Sequence, residues 1–298
     1  MRANRLGRDL GLTVRMLIST VLLAAVYLLF MIVLLRAGVG FIPMLFITGG
    51  MLFVQYYFSD QLVLLSVGAR VVRRSEEPAL YAMVERLAAM ADIPTPKVAI
   101  IRMPMANAFA TGRNPQHAVV AVTTGLLNTL DDEELEAVLA HEITHIRNRD
   151  MTLITMATFF STLASFIVQW AFWFLPVGGF GDREERDNAA LVYLVSFLVY
   201  LVSFFLIRAI SRYREYAADR GSAILTGRPS ALMSALIKIS HTAGRIPNRD
   251  LRQAEMVSAL FIFPAVSRGS LLELFQTHPT LEHRLQYLRR IEAEMSRT

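Results

Sequence analysis

Three residues with the types and spacing for metal chemistry sit in mid-chain, in His141-Glu142-Ile143-Thr144-His145. An α-helical turn takes 3.6 residues, so side chains four apart share a face, and both imidazoles can reach one ion at about 2.0–2.1 Å. Glu142 lies beside the first histidine, where its carboxylate can take a proton from water activated by that ion. H-E-x-x-H on a helix is the pattern of metal-assisted peptide hydrolysis, with the glutamate as general base. The plain alternative is a charged surface turn with two incidental histidines, and the helical context weighs against it.

A catalytic zinc needs a third protein ligand and one open position. The chain has no cysteine, so the ligand is a histidine or a carboxylate, and thiolate chemistry and disulfides are excluded. The remaining histidines are His117, His241, His278 and His283. The best carboxylate candidate is Glu215, in Ser211-Arg212-Tyr213-Arg214-Glu215-Tyr216-Ala217-Ala218-Asp219-Arg220. Glu215 and Asp219 are four apart on a predicted helix. One can bind the metal while the other accepts the second N–H of a ligand histidine. The same spacing suits a solvated helix face with i,i+4 ion pairs, and spacing alone leaves both readings open.

The elements that position these residues are legible in part. Asp131 precedes Glu134 by three, a capping-box arrangement, and acids fill the first turn after it. The helix that follows should carry the motif and run to about Arg149. Before it, Pro78 to Met90 has the spacing of an amphipathic helix. Lys97 to Arg102 and His117 to Val122 are short β-favouring runs, and Asn107 to Gly112 between them fits a third strand. The C-terminal region reads as helical, with Pro229 and Pro279 each at a first helical position.

Composition sets the frame. Hydrophobic residues make up 54% of the chain and mean hydropathy is +0.43, beyond the usual soluble range. Residues 17–35 carry no charge, and about 19 residues at 1.5 Å rise cover roughly 30 Å, the bilayer core. Further spans are expected over 39–58, 151–181 and 189–207, the last stopping at Arg208. A cleaved signal peptide or buried core helices are the bland alternatives for these runs. The net charge of +5 comes mostly from arginine beside the apolar runs, which points to membrane orientation and not to nucleic acid. Arginines at the N-terminus, after the second span and after the fourth place both termini and both long polar regions on the cytoplasmic side.

With these residues in order, the chain resembles the HtpX-type membrane zinc proteases, bacterial relatives of the CAAX prenyl proteases. The resemblance covers nearly the whole chain. It rests on Asn107-Ala108-Phe109-Ala110-Thr111-Gly112, His141 to His145, Ser211-Arg212 with Glu215 and Ala218-Asp219, and His278-Pro279-Thr280-Leu281 with Arg284. It implies a mainly α integral membrane protein, with four transmembrane helices and a cytoplasmic α+β zincin-like protease domain. The expected layout is a transmembrane hairpin over 1–58, the first part of the protease domain over 59–150, a second hairpin over 151–207 and the second part over 208–298.

The resemblance also implies roles. One zinc ion per chain is held by His141, His145 and Glu215, with Asp219 behind a ligand histidine. Glu142 is catalytic. Asn107, Ala108, Phe109 and Ala110 bind substrate as an edge strand, and His278 lies beside the substrate, as an oxyanion donor or as a plain helix-start residue. Arg284 is either a surface residue or an ion-pair partner framing the site. The implied substrates are polypeptides, chiefly misfolded membrane proteins under stress. The setting is the bacterial inner membrane, with no nucleic acid and with other membrane quality-control proteases as candidate partners. Three rivals remain: an intramembrane zinc protease, a prenyl-protein processing enzyme and a non-enzymatic membrane scaffold.

Overall fold

The structure is a computed structural model. It describes residues 9–36, 49–50, 53–54, 57–58, 61, 63–154, 157, 161, 164–165, 183–243 and 278–297. The elements in chain order are α1 (Leu10–Arg36), β1 (Arg70–Val71), α2 (Pro78–Met90), β2 (Lys97–Ile101), β3 (Ala108–Thr111), a 3-10 turn (Pro115–His117), β4 (Val119–Thr123), α3 (Thr124–Thr129), α4 (Asp132–Arg147), α5 (Arg183–Thr226), α6 (Pro229–Ala243) and α7 (Leu281–Ser296).

Four strands form one sheet in the order β1-β2-β4-β3. β2 and β4 are parallel, with Lys97 opposite Val119 and Ile101 opposite Thr123. β3 runs antiparallel to β4, from Ala108 opposite Val122 to Thr111 opposite Val119, and forms one edge. β4 is Val-Val-Ala-Val-Thr, buried at every position, because both faces of the sheet are covered. Val120 and Val122 join the core that holds Leu87 of α2 and Val138 and Ile143 of α4. Val119 and Ala121 point the other way and pack with Ile101, Met105 and Phe109. The sheet thus presents its β3 edge and one face to the helix that carries the motif.

α1 and α5 pack together through Leu23, Tyr27 and Phe30 on one and Val199, Ile207 and Ile210 on the other. The segments Leu10–Val33 and Ala190–Thr226 are both long and apolar enough to cross a membrane. Large apolar side chains stand exposed along them, among them Leu17, Val21 and Leu28, and Leu194, Leu198 and Phe205. α5 has 44 residues, about 66 Å at 1.5 Å each, roughly twice the bilayer core. The apolar run 189–207 is therefore the first part of a longer helix that passes Arg208 without a break and carries Glu215 on its polar part. The expected spans over 39–58 and 151–181 fall largely outside the described residues.

Two local readings are corrected, and one element was not foreseen. The motif helix ends at Arg147, and Arg149 adopts a left-handed φ of 56°. Pro279 stands before the last helix and not at its first position: Thr280 is the N-cap, its hydroxyl accepting from the His283 amide. β1, two residues long, carries no sequence signal of its own and exists because β2 offers it an edge. α2 over Pro78–Met90 and α6 starting at Pro229 agree with expectation, whereas β2 ends at Ile101, β3 covers only Ala108–Thr111, and β4 starts at Val119 because His117 belongs to the 3-10 turn before it.

Candidate metal centre

The capping box at the start of α4 is formed as the spacing demands. The Asp131 side chain accepts the Glu134 amide at 3.0 Å, and Glu134 accepts the Asp131 amide at 3.1 Å. Glu134 also accepts the Ser234 hydroxyl and the Lys238 ammonium, both at 2.6 Å, which fastens α6 to this end of the helix. Three turns further on, His141 and His145 share the buried face, with Nε2 atoms 3.1 Å apart.

Each ring is held from behind by a carboxylate. Asp219 lies 3.0 Å from His141 Nδ1, and Asp150 lies 2.7 Å from His145 Nδ1. Carboxylates only accept, so each Nδ1 carries a proton, and each Nε2 faces the same point as the nitrogen that can give its lone pair to an ion. α5 delivers Glu215 to that point: its oxygens lie 3.6 Å from His141 Nε2 and 3.5 Å from His145 Nε2. Ligand atoms from the three residues all fall within 4.8 Å of one another, and all three residues are buried. Glu215 Oε2 accepts no hydrogen bond among the described residues.

This donor set fits a metal ion. Two atoms bound to one tetrahedral zinc at 2.0–2.1 Å are about 3.3 Å apart, close to the three separations here. Electrostatics agree. Burial alone would lower the His145 pKa, but Asp150 and Glu215 outweigh it and lift it to about 10. His141 shifts upward as well, with burial opposed by Asp219 and Glu215. The surroundings therefore favour positive charge at this point.

Arg284 of α7 is 1% exposed and completes the buried network. Its Nε donates to Asp219 at 2.9 Å, and its Nη1 lies 3.5 Å from Glu215 Oε2. Of the two readings left open for Arg284, the surface residue is excluded. His278 is also buried, with Nδ1 3.3 Å from Glu215 Oε2, and neither ring nitrogen has a hydrogen-bond partner among the described residues. A buried imidazole with both nitrogens unused is costly unless something else meets it.

Glu142 is 3% exposed, and burial raises its pKa, opposed in part by the neighbouring histidines and by a hydrogen bond from the Ala110 amide. That bond ties Glu142 to the sheet edge. Thr123 donates its amide to Asn107 O at 3.0 Å, so by antiparallel alternation Asn107, Phe109 and Thr111 bond to β4. Ala108 and Ala110 then turn their backbone groups to the free edge, where the Ala108 amide meets the Asn107 side chain at 2.9 Å. The remaining histidines stand elsewhere: His117 bonds to Asn114, and His241 and His283 are exposed.

Sequence reasoning missed Asp150, Arg214 and Gly221. Arg214 Nε lies 3.2 Å from the Asp150 carboxylate and so steadies the group behind His145. A signal for Asp150 existed, since a second ligand histidine calls for a second carboxylate and this one follows just past the helix end. Gly221 lets α5 approach α4: a Cβ there would stand 2.2 Å from Thr144 Cγ2.

The model of peptidase family M48 matches residues 74–292. A protein named Protease HtpX homolog from Moorella thermoacetica is 61% identical over 98% of both chains. Protease HtpX homolog 2 from Methanosarcina acetivorans is 52% identical over 97% of this chain and 98% of its own. Among solved structures, the crystal structure of S. mikatae Ste24p superposes with a TM-score of 0.55 at 20% identity, covering 94% of this chain and 67% of that one. That likeness speaks to the fold.

Proposed function

The chain belongs to peptidase family M48, among its HtpX-type proteases, and on that premise we propose that it is a zinc-dependent endopeptidase working at the cytoplasmic face of a bacterial inner membrane. Its substrates are misfolded or damaged membrane proteins, cut where their chains emerge from the bilayer. The observation that carries the reading is the pair of Nε2 atoms 3.1 Å apart, each ring held at Nδ1 by its own carboxylate, with the Glu215 oxygens facing them.

His141, His145 and Glu215 would hold the ion. A zinc ion in that place would supply a Lewis acid for the scissile carbonyl and lower the pKa of water toward neutrality. Glu142 takes the proton from that water and passes one to the leaving amine. A carboxyl whose pKa burial has raised suits both transfers. Asp219 with Arg284, and Asp150 with Arg214, keep the two imidazoles in the ligating tautomer. An extended substrate strand pairs with the free edge of β3 through the backbone groups of Ala108 and the carbonyl of Ala110, beside the Ala110 amide that holds Glu142, which sets the scissile bond against Glu142. Asn107 gives up its bond to the Ala108 amide as the substrate arrives. His278 turns an N–H toward the developing oxyanion.

The continuity of α5 from its apolar part into the turn of Glu215 supports a catalytic domain built directly on its membrane helices. The four-span layout with hairpins over 1–58 and 151–207 follows from the same reading. The test is metal content of the full chain purified in detergent, paired with casein cleavage with and without a zinc chelator. About one zinc per chain and chelator-sensitive cleavage are expected. Glu142→Gln should keep the zinc and lose cleavage. Cleavage by that variant at the wild-type rate would end the general-base assignment.

A further inference from the structure

Away from the metal centre, α1, α5 and α7 line an open cavity of about 540 Å³. Its lining includes Asp9 and Arg15 at the start of α1, Tyr213 and Tyr216 of α5, and Tyr287 and Arg290 of α7. None of these belongs to the catalytic machinery. Tyr216 and Tyr287 meet edge-on with ring centroids 5.1 Å apart, and the Tyr287 hydroxyl donates to Asp9 at 3.1 Å.

Its level in the molecule follows from the helix register. α1 and α5 are antiparallel, with Tyr27 interacting with Ser203 and Asp9 within electrostatic reach of Arg220. That register sets Arg15 beside the turn of α5 that holds Tyr213 and Tyr216. Arg15 is the last charge before the apolar run 17–35, and the apolar part of α5 ends at Arg208. The cavity thus opens beside Arg15, where α1 passes from apolar to charged, and roughly one to two turns past Arg208 on the charged part of α5, a level that suits phospholipid headgroups.

We propose that this cavity binds the headgroup of a membrane phospholipid, its phosphodiester taken by Arg15 and Arg290. Guanidinium forks match phosphate oxygens, and tyrosines are favoured at the headgroup level, where one end of the ring is apolar and the other wet. Asp9 sharpens the choice. Its carboxylate already accepts the Leu12 amide at 3.0 Å and the Tyr287 hydroxyl. Its negative charge still penalises a second one nearby, so a singly charged diester is favoured over inorganic phosphate or a phosphomonoester. Binding also reaches the metal centre. Tyr216 follows Glu215 in sequence, and Tyr287 lies one turn from Arg284, so a headgroup seated here fastens α7 onto α5 behind the third ligand.

The inference rests on α1 and α5 crossing the membrane, and its test uses no proteolysis, so it stands apart from the protease assignment. The full chain in nonionic detergent is titrated with short-chain phosphatidylglycerol. Thermal unfolding and the number of bound lipids by native mass spectrometry are followed. One saturable site that raises the unfolding temperature is expected. The paired change Arg15→Gln and Arg290→Gln should weaken binding about 30-fold, at the value of a basic residue near anionic lipid. Arg290 is exposed and donates to Glu294 at 3.0 Å on the same helix face, so R290Q alone folds and should cost about 5-fold. Arg289→Gln removes the same charge from α7 outside the cavity and should change nothing. Equal weakening by R289Q, full binding by R290Q, or the same shift from inorganic phosphate at the same concentration would each overturn the proposal.

Discussion

Gly221→Ala is a small change that should act on the metal through helix packing. The new Cβ would stand 2.2 Å from Thr144 Cγ2, 2.5 Å from its Oγ1 and 2.9 Å from its Cβ. Rotating Thr144 relieves the first two contacts but not the third, because Cβ is fixed to the backbone of α4. Restoring the 3.4 Å at which ordinary contact begins requires α4 and α5 to part by about 0.5 Å at least, and by about 1.2 Å if Thr144 does not rotate. Glu215 is six residues back on the same rigid helix, about 9 Å along its axis. Metal–ligand distances hold to within about 0.2 Å, so either shift misplaces the third ligand. Overpacking of this kind costs about 1–3 kcal/mol. If the metal site absorbs it, zinc affinity falls about 5- to 150-fold. Competition against a fluorescent chelator measures that affinity in G221A, in Thr144→Ala and in the double variant. T144A alone should bind zinc nearly as the native chain does, and the double variant should recover part of the loss. Native affinity and native cleavage in G221A would refute the argument that close α4–α5 packing sets the ligand geometry.

Other outcomes follow from the same network. Glu215→Ala should lose zinc along with activity, because two histidines hold the ion weakly; stoichiometric zinc in the purified variant would point to a different third ligand. Asp150→Asn should lower zinc affinity or activity on the order of 10–100-fold while leaving the fold intact, and Asp219→Asn should do the same to the metal while also lowering stability, because it takes a charge partner from buried Arg284. Wild-type behaviour of D150N would show that His145 keeps its orientation without that carboxylate. Single cysteines at Ser75 and Asp187 should react with impermeant reagents from opposite sides of the membrane, and labelling of both from one side would contradict the four-span topology.

Much of the site was readable because its signals are local. The spacing of His141 and His145 decides that they share a face as soon as the segment is helical, and the Asp131–Glu134 capping box marks where that helix starts. The β4 run was legible as a strand because covered sheets need unbroken apolar sequence, whereas β1 was not, since two exposed residues become a strand only where a neighbour offers hydrogen bonds. Glu215 and Asp219 were visible as a pair, yet their spacing served a solvated helix face equally well until family resemblance separated the readings.

Tertiary structure alone decided the rest, because it depends on residues far apart in the chain. About 70 residues separate His145 from Glu215, and no periodicity within either helix says that the two will meet. Their meeting depends on how α5 packs against α4, where Gly221 admits Thr144 and Ser222 donates to Ala137 O at 2.7 Å. Arg284 shows the same limit most sharply. By composition it is one more arginine on a polar helix, and α7 reads as largely exposed. Folding buries it between Asp219 and Glu215, where a guanidinium is stable only because two carboxylates already stand there. By itself the sequence determined the kinds of ligand available and the helix face that bears two of them. Only packing could settle which charges lose their water, because that depends on every neighbour an element acquires.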